Sequence, residues 1–177
     1  MQSEHIMIVD DTPENLQVLS TMLQRKGYMI SAFPRGNMAL AAAERKLPDL
    51  VLLDINMPEM NGYEVCEGFK SRSALKDIPV VFISALDDTE DKVRALKCGG
   101  VDYISKPFQM EEVYARVDTQ LKLHNAQKVM RRFNEQLKAK VAQQIEEINN
   151  AQLAMLFALA KLSHTRDDDT GLHLERV

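Results

Sequence analysis

The chain has 177 residues, a formal net charge of −4 and an ordinary composition, 45% hydrophobic and 27% charged. That length suits one good core with an appendage, or two small domains. The acidic balance offers no basic footprint for nucleic acid or an anionic membrane surface, and the apolar runs stop far short of a membrane span.

Met1-Gln2-Ser3-Glu4 leads directly into a predicted strand, His5–Val9, with no secretory h-region before it. A helix over Pro13–Lys26 follows, with Pro suited to its first turn and Leu16, Leu19, Met22 and Leu23 at helical spacing. Gly27 is placed to end it. Tyr28–Phe33 reads as the second strand, Asn37–Lys46 as an Ala-rich helix and Leu50–Leu53 as the third strand. Pro58 and Asn61-Gly62 mark a loop before a helix over Tyr63–Lys70. Val80–Ile83 is the fourth strand, Glu90–Lys97 a helix, Gly99-Gly100 a break and Val101–Ser105 the fifth strand. The apolar residues of these strands are continuous and not alternating, so the strands are expected to be buried on both faces. Five βα units in this order predict an α/β, three-layer doubly wound sandwich around a five-stranded parallel sheet. Cys66 and Cys98 lack metal-type spacing and are expected to be reduced thiols of a cytoplasmic protein.

After Pro107 the grammar changes. No Gly or Pro occurs from Phe108 through Thr170. A long C-terminal helix from near Met110 to about Leu162 is predicted, on the order of 80 Å long at ~1.5 Å per residue. Along it Leu123, Met130, Leu137, Val141, Ile148, Met155 and Leu162 recur at spacings that suit a coiled-coil seam, interrupted by Asn134 and Gln144. A lone solvated helix would expose a large apolar strip, so a parallel homodimer is the expected cover.

Four strand ends carry chemistry. Asp10-Asp11 closes the first strand, Asp54 the third, Ser84 the fourth, and Lys106-Pro107 the fifth. In open parallel sheets the carboxyl ends of the strands are where ligands bind. Asp10, Asp11 and Asp54 brought together repel one another unless a cation joins them, and a hard divalent ion such as Mg²⁺ resolves this. Asp54 then suits the role of a nucleophile toward a phosphoryl group. Ser84 is placed to donate to one phosphoryl oxygen and Lys106 to neutralise another. Taken singly, each residue has a plainer reading: Asp10 or Asp11 as a helix N-cap before Thr12-Pro13-Glu14, Ser84 and Lys106 as surface residues. The joint placement at four strand ends favours a site.

As a set, Ile8-Val9-Asp10-Asp11, Asp54 with Met57-Pro58 and Gly62, Ser84-Ala85 and Lys106-Pro107-Phe108 resemble the receiver domain of bacterial two-component response regulators. The resemblance covers residues 1–123. It implies Asp54 as the phosphoacceptor, served by a histidine kinase or phosphotransfer protein. It further implies Mg²⁺ held by Asp11 and Asp54 directly, by Asp10 through water and by Asn56 through its backbone carbonyl. Ser84 and Lys106 hold the phosphoryl oxygens, the Lys106–Pro107 peptide is cis, and Tyr103 is the aromatic that moves inward with Ser84. Asn56 and Leu86 lie near the path of attacking water and are expected to influence phosphoryl lifetime.

Residues 124–163 are expected to form a dimeric signalling helix, and residues 164–177 the start of an output domain. Leu159-Ala160-Lys161-Leu162, Arg166-Asp167 and Asp169-Thr170-Gly171-Leu172-His173 resemble the opening of HD-GYP domains, metal-dependent phosphodiesterases acting on cyclic di-GMP. That resemblance makes Asp169 and His173 metal ligands, with Asp169 departing from the Glu often found there. The His-Asp pair and GYP segment that name the family are absent. Two ligands do not make a catalytic metal site, so the chain is expected to be a fragment without hydrolase activity of its own and without output-domain metals. Two other readings stand beside this one. In one, His164 is the phosphorylated His of a kinase dimerisation helix; in the other, the chain is a receiver scaffold with a dimer rod.

Overall fold

The computed structural model describes residues 3–85 and 89–171, the side chains of 89–92 and 162–171 excepted. Five strands, β1 (His5–Val9), β2 (Met29–Phe33), β3 (Leu50–Asp54), β4 (Val80–Ser84) and β5 (Asp102–Ser105), form one parallel sheet ordered β2-β1-β3-β4-β5. Helices α1 (Pro13–Arg25), α2 (Gly36–Arg45), α3 (Gly62–Lys70), α4 (Thr89–Lys97) and α5 (Met110–Gly171) alternate with the strands. The predicted α/β sandwich is the observed one.

Two apolar layers sandwich the sheet. On one face Leu19 and Leu23 of α1 and Val113, Val117 and Leu121 of α5 pack on Ile6, Ile8, Leu52 and Ile83. On the other, Leu40 of α2 and Val65 and Phe69 of α3 pack on Met7, Val9, Leu53 and Phe82. Each fully buried side chain of this size contributes about 1.5–3 kcal/mol, and this is what holds the strand ends at fixed spacing. The central strands β1, β3 and β4 are buried along their whole length, as continuous apolar runs require. β2 is different: its residues are exposed or half-buried. It is one edge of the sheet, covered on fewer sides, and Ser31 and Ala32 in it bury little apolar surface; β5, the other edge, is likewise half-buried except at Ile104.

Local signals fix the loops that carry the site. Thr12 stands at the N-cap position of α1 without a side-chain capping bond, Pro13 follows it, and Gly27 ends the turn after that helix at φ +92°, where a side chain would be strained. α3 opens with a reciprocal capping box: Asn61 accepts from the Glu64 N–H, and Glu64 accepts from the Asn61 N–H. Gly62 lies so close to the end of β3 that a Cβ there would sit 2.3 Å from the Asp54 carbonyl oxygen.

The described chain divides into two compact units, one through Gln127 and one from Lys128 onward. α5 contributes to both and extends to Gly171, nine residues beyond Leu162. From Asn125 through Lys161 every side chain is exposed. Among the described residues no helix is long and apolar enough to cross a membrane.

Candidate functional site

The strand order reverses between β1 and β3, and both strands end on acids at that point. Asp10, just past Val9, is 1% exposed, and Asp54 at the end of β3 is 4% exposed. With Asp11, which is exposed, they bring carboxylate oxygens within 4.8 Å of one another. From the end of β5, Lys106 extends its Nζ to 2.9 Å from Asp10 Oδ2 and 3.1 Å from Asp54 Oδ1. The Lys106 N–H donates to the Ser84 carbonyl at 2.8 Å, and the Lys106–Pro107 peptide is cis. Ser84 is fully buried at the end of β4, the strand beside β3.

The charges in this cleft are out of balance. Burial pushes the Asp54 carboxyl above the usual carboxylate range and the charge of Asp10 adds to that, while Lys106 and the Asn56 N–H oppose it. Burial pulls the Lys106 ammonium down, but its hydrogen bond to Asp10 and the charges of Asp54 and Asp10 outweigh this and raise it. Asp10 and Asp54 share one ammonium, and Asp11 adds a third carboxylate beside them. Such a donor set of oxygens, all within reach of one point, fits a hard divalent cation.

Asp10 is the most heavily engaged member. Its Oδ1 accepts from the Thr12 N–H at 2.9 Å, and Asn15 Nδ2 lies 3.0 Å from both carboxylate oxygens. With Lys106 on Oδ2, most of its acceptor positions are already filled by protein donors. The plainer reading of Asp10 or Asp11 as the helix N-cap is not met: Thr12 holds that position, and Asp10 bonds the N–H of Thr12 itself, outside the helix. Asn15 has no place in the sequence reading. Its only trace there is an amide in the first turn of a helix that starts beside an acid, a pattern too common to single out.

The structure brings Asp10, Asp11, Asp54 and Lys106 together as expected, with Ser84 at the adjacent strand end. Asn56 is exposed in the loop after β3, and its N–H bonds the Asp54 carboxylate. Tyr103 is half-buried against the α2–α3 face of the core, and its hydroxyl donates to the Ser84 carbonyl at 3.2 Å. Cys66 and Cys98 are free thiols, the first buried. Leu86 and His173 lie outside the described residues, as do the side chains of His164 and Asp169.

A family model for the response regulator receiver domain matches residues 6–118. Among curated proteins, a probable cyclic di-GMP phosphodiesterase of Vibrio cholerae is 39% identical over 172 residues, 97% of this chain and 39% of that protein. Response regulator PleD of Caulobacter vibrioides is 40% identical over 115 residues, 65% of this chain and 25% of its own length. The chain thus spans well under two thirds of either relative. Among solved structures, a putative response regulator from Chloroflexus aurantiacus aligns with a TM-score of 0.66 at 28% identity, covering 68% of this chain and 99% of that one. The receiver domain of a Pseudomonas aeruginosa sensor histidine kinase, solved with a magnesium ion coordinated in its active-site cleft, aligns at 0.64 with 26% identity and covers 68% and 99%. From its strand-end acids to its matched residues, this chain belongs to the response regulator receiver family.

Proposed function

We propose that Asp54 accepts a phosphoryl group from a phosphohistidine of a histidine kinase or phosphotransfer protein, in a Mg²⁺-dependent reaction. The observation that carries this is the buried Asp54 carboxylate, set among two other acids and shared with Asp10 by the Lys106 ammonium. An Asp54 oxygen attacks phosphorus, the P–N bond to imidazole breaks, and the imidazole takes up a proton as it leaves. Lys106 is held by Asp10 at 2.9 Å and so is poised to meet an incoming phosphoryl oxygen without reorganisation. Asp11, Asp54 and the loop of Asn56 would hold the cation, with Asp10 acting through water because its own oxygens are already engaged. When bound, Mg²⁺ supplies charge neutralisation for the acid cluster and for the transferring phosphoryl group. Ser84 then binds a second phosphoryl oxygen, and a shift at Ser84 is felt by Tyr103, whose hydroxyl is tied to the Ser84 carbonyl.

The same reading assigns residues 1–123 to the receiver, 124–163 to a dimeric signalling helix, and 164–177 to the start of an HD-GYP-like output domain with Asp169 and His173 among its metal ligands. Supporting the output assignment, the Vibrio relative matches through 97% of this chain and so along most of α5, whereas the match to the Caulobacter regulator spans only 65%. The receiver regulates and the hydrolysis of cyclic di-GMP belongs to the output domain.

Uptake of phosphate from a small phosphodonor or a phosphorylated kinase tests the reading. Wild type is expected to be labelled only with Mg²⁺ present, and Asp54→Asn not at all. Equal labelling of Asp54→Asn overturns the assignment.

A further inference from the structure

Resting on the reading of α5 as a dimer helix, we infer that the second copy packs along an eleven-residue repeat in α5, and not along a continuous heptad seam. Three observations carry this. First, Leu137, Ile148 and Leu159 stand eleven residues apart, as do Met130 and Val141, and Ile145 and Leu156. All seven side chains are 45% or more exposed along one helix. Second, Phe133, Gln144 and Met155 form a further set at the same interval, directly before Asn134, Ile145 and Leu156. Each neighbouring pair therefore supplies at least one large apolar group to the seam. Third, a heptad continued from Met130 and Leu137 keeps Val141, Ile148 and Met155 but places Ala151 and Ala158 in the core and leaves Phe133, Ile145, Leu156 and Leu159 in water.

Geometry decides between the two. Seven residues at about 100° each fall roughly 20° short of two turns, so a heptad stripe drifts one way around a straight helix and demands a left-handed supercoil. Eleven residues overshoot three turns by about 20°, so this stripe drifts the other way. The second drift follows nine of the exposed apolar side chains from Met130 to Leu159, leaving Leu153 and Phe157 off the stripe.

A second copy of the chain is the occupant that fits. An aliphatic side chain buries on the order of 100 Å² when wholly covered. Nine half-exposed groups at the repeat positions then offer roughly 450 Å² per copy, before the stems of flanking Lys and Arg side chains are included. This matches the largest patches that monomers keep open, about 300–600 Å², and supplies a little over half of the ~800 Å² per partner of a standard interface. Identical layers stacking on themselves need no foreign partner.

Gln substitutions in the full chain test the inference, since Gln is a good helix former and far-ultraviolet circular dichroism checks that α5 persists. Sedimentation equilibrium is run on Ile145→Gln and Leu159→Gln, which belong to the eleven-residue seam alone, and on Ala151→Gln and Ala158→Gln, which belong to the heptad alone. The inference expects the first pair to weaken the dimer by about tenfold or more, and the second pair to change it by less than about threefold. Reversed results with a dimeric wild type overturn the eleven-residue seam and leave the dimer standing. A wild type that stays monomeric at high concentration, or that sediments with a different bound protein, overturns both.

Discussion

Replacing Asp54 with Asn should make the metal-free protein more stable at neutral pH, although it removes the proposed phosphoacceptor. At an effective dielectric near 20, unit charges 4.8 Å apart repel by about 3.5 kcal/mol, and opposite charges 3.1 Å apart attract by about 5 kcal/mol. Asp54 has two acidic neighbours within that longer distance and one ammonium at the shorter one. Lys106 therefore outweighs Asp10, exposed Asp11 adds only a screened repulsion, and burial of the Asp54 charge is what leaves the carboxylate disfavoured. The amide introduced by Asp54→Asn keeps the shape of the side chain without its charge.

The pH dependence follows from the same imbalance. Because the folded-state pKa of Asp54 lies above its ordinary value of 3.8, the native protein holds its proton in a window where the unfolded chain has lost it. Stability therefore falls as pH rises through that window, and the loss is complete above it. The gap between Asp54→Asn and wild type should be small below pH ~4 and largest near neutrality. Urea unfolding followed by tyrosine fluorescence is the assay. With no Trp present, Tyr28, Tyr63, Tyr103 and Tyr114 report on the receiver alone. Added Mg²⁺ should narrow the gap by stabilising wild type selectively. A variant less stable than wild type in chelator at pH 7, or a gap that shrinks as pH rises, refutes the electrostatic argument.

Asn15→Ala should loosen Asp10 by removing donors to both of its oxygens, costing about 1.5–3 kcal/mol in urea stability and lowering Mg²⁺ affinity, measured by titration calorimetry. A variant equal to wild type in both would show that Asn15 does not position Asp10. Gly62→Ala should destabilise by about 1–3 kcal/mol, because the new methyl meets the Asp54 and Ile55 backbone, which has no room to yield; a neutral result in the same unfolding assay would count against the close packing of α3 on β3. Burial and its neighbour Cys98 push the Cys66 thiol up to about 12, so at pH 8 iodoacetamide should modify half-buried Cys98 well before Cys66. Mass mapping that finds Cys66 modified first would contradict that placement.

The sheet was legible because its central strands are short apolar runs closed by punctuation, and because helices with apolar stripes separate them. Asp54 was legible for a related reason: an acid closing a wholly apolar strand needs a partner, and Lys106 is that partner. β2 misled because a run of similar composition is an edge strand once Ser31 and Ala32 replace larger groups, and edge position is a property of topology. Asn15 and the Asn56 N–H escaped notice because hydrogen bonds to a carboxylate depend on loop geometry that residue types alone do not encode. On α5, a heptad template drew attention to Leu123, Met130 and Leu137, while exposure along the helix singled out Phe133, Ile145 and Leu159 as well.

The most direct measurement is the position of the phosphoryl group itself. After incubation with a small phosphodonor and Mg²⁺, reductive trapping of the acyl phosphate and peptide mass spectrometry should locate the modification at Asp54 alone, within the peptide that spans the end of β3. Modification at Asp10, Asp11 or a histidine, or an unmodified Asp54 with the cation saturating, would contradict the account.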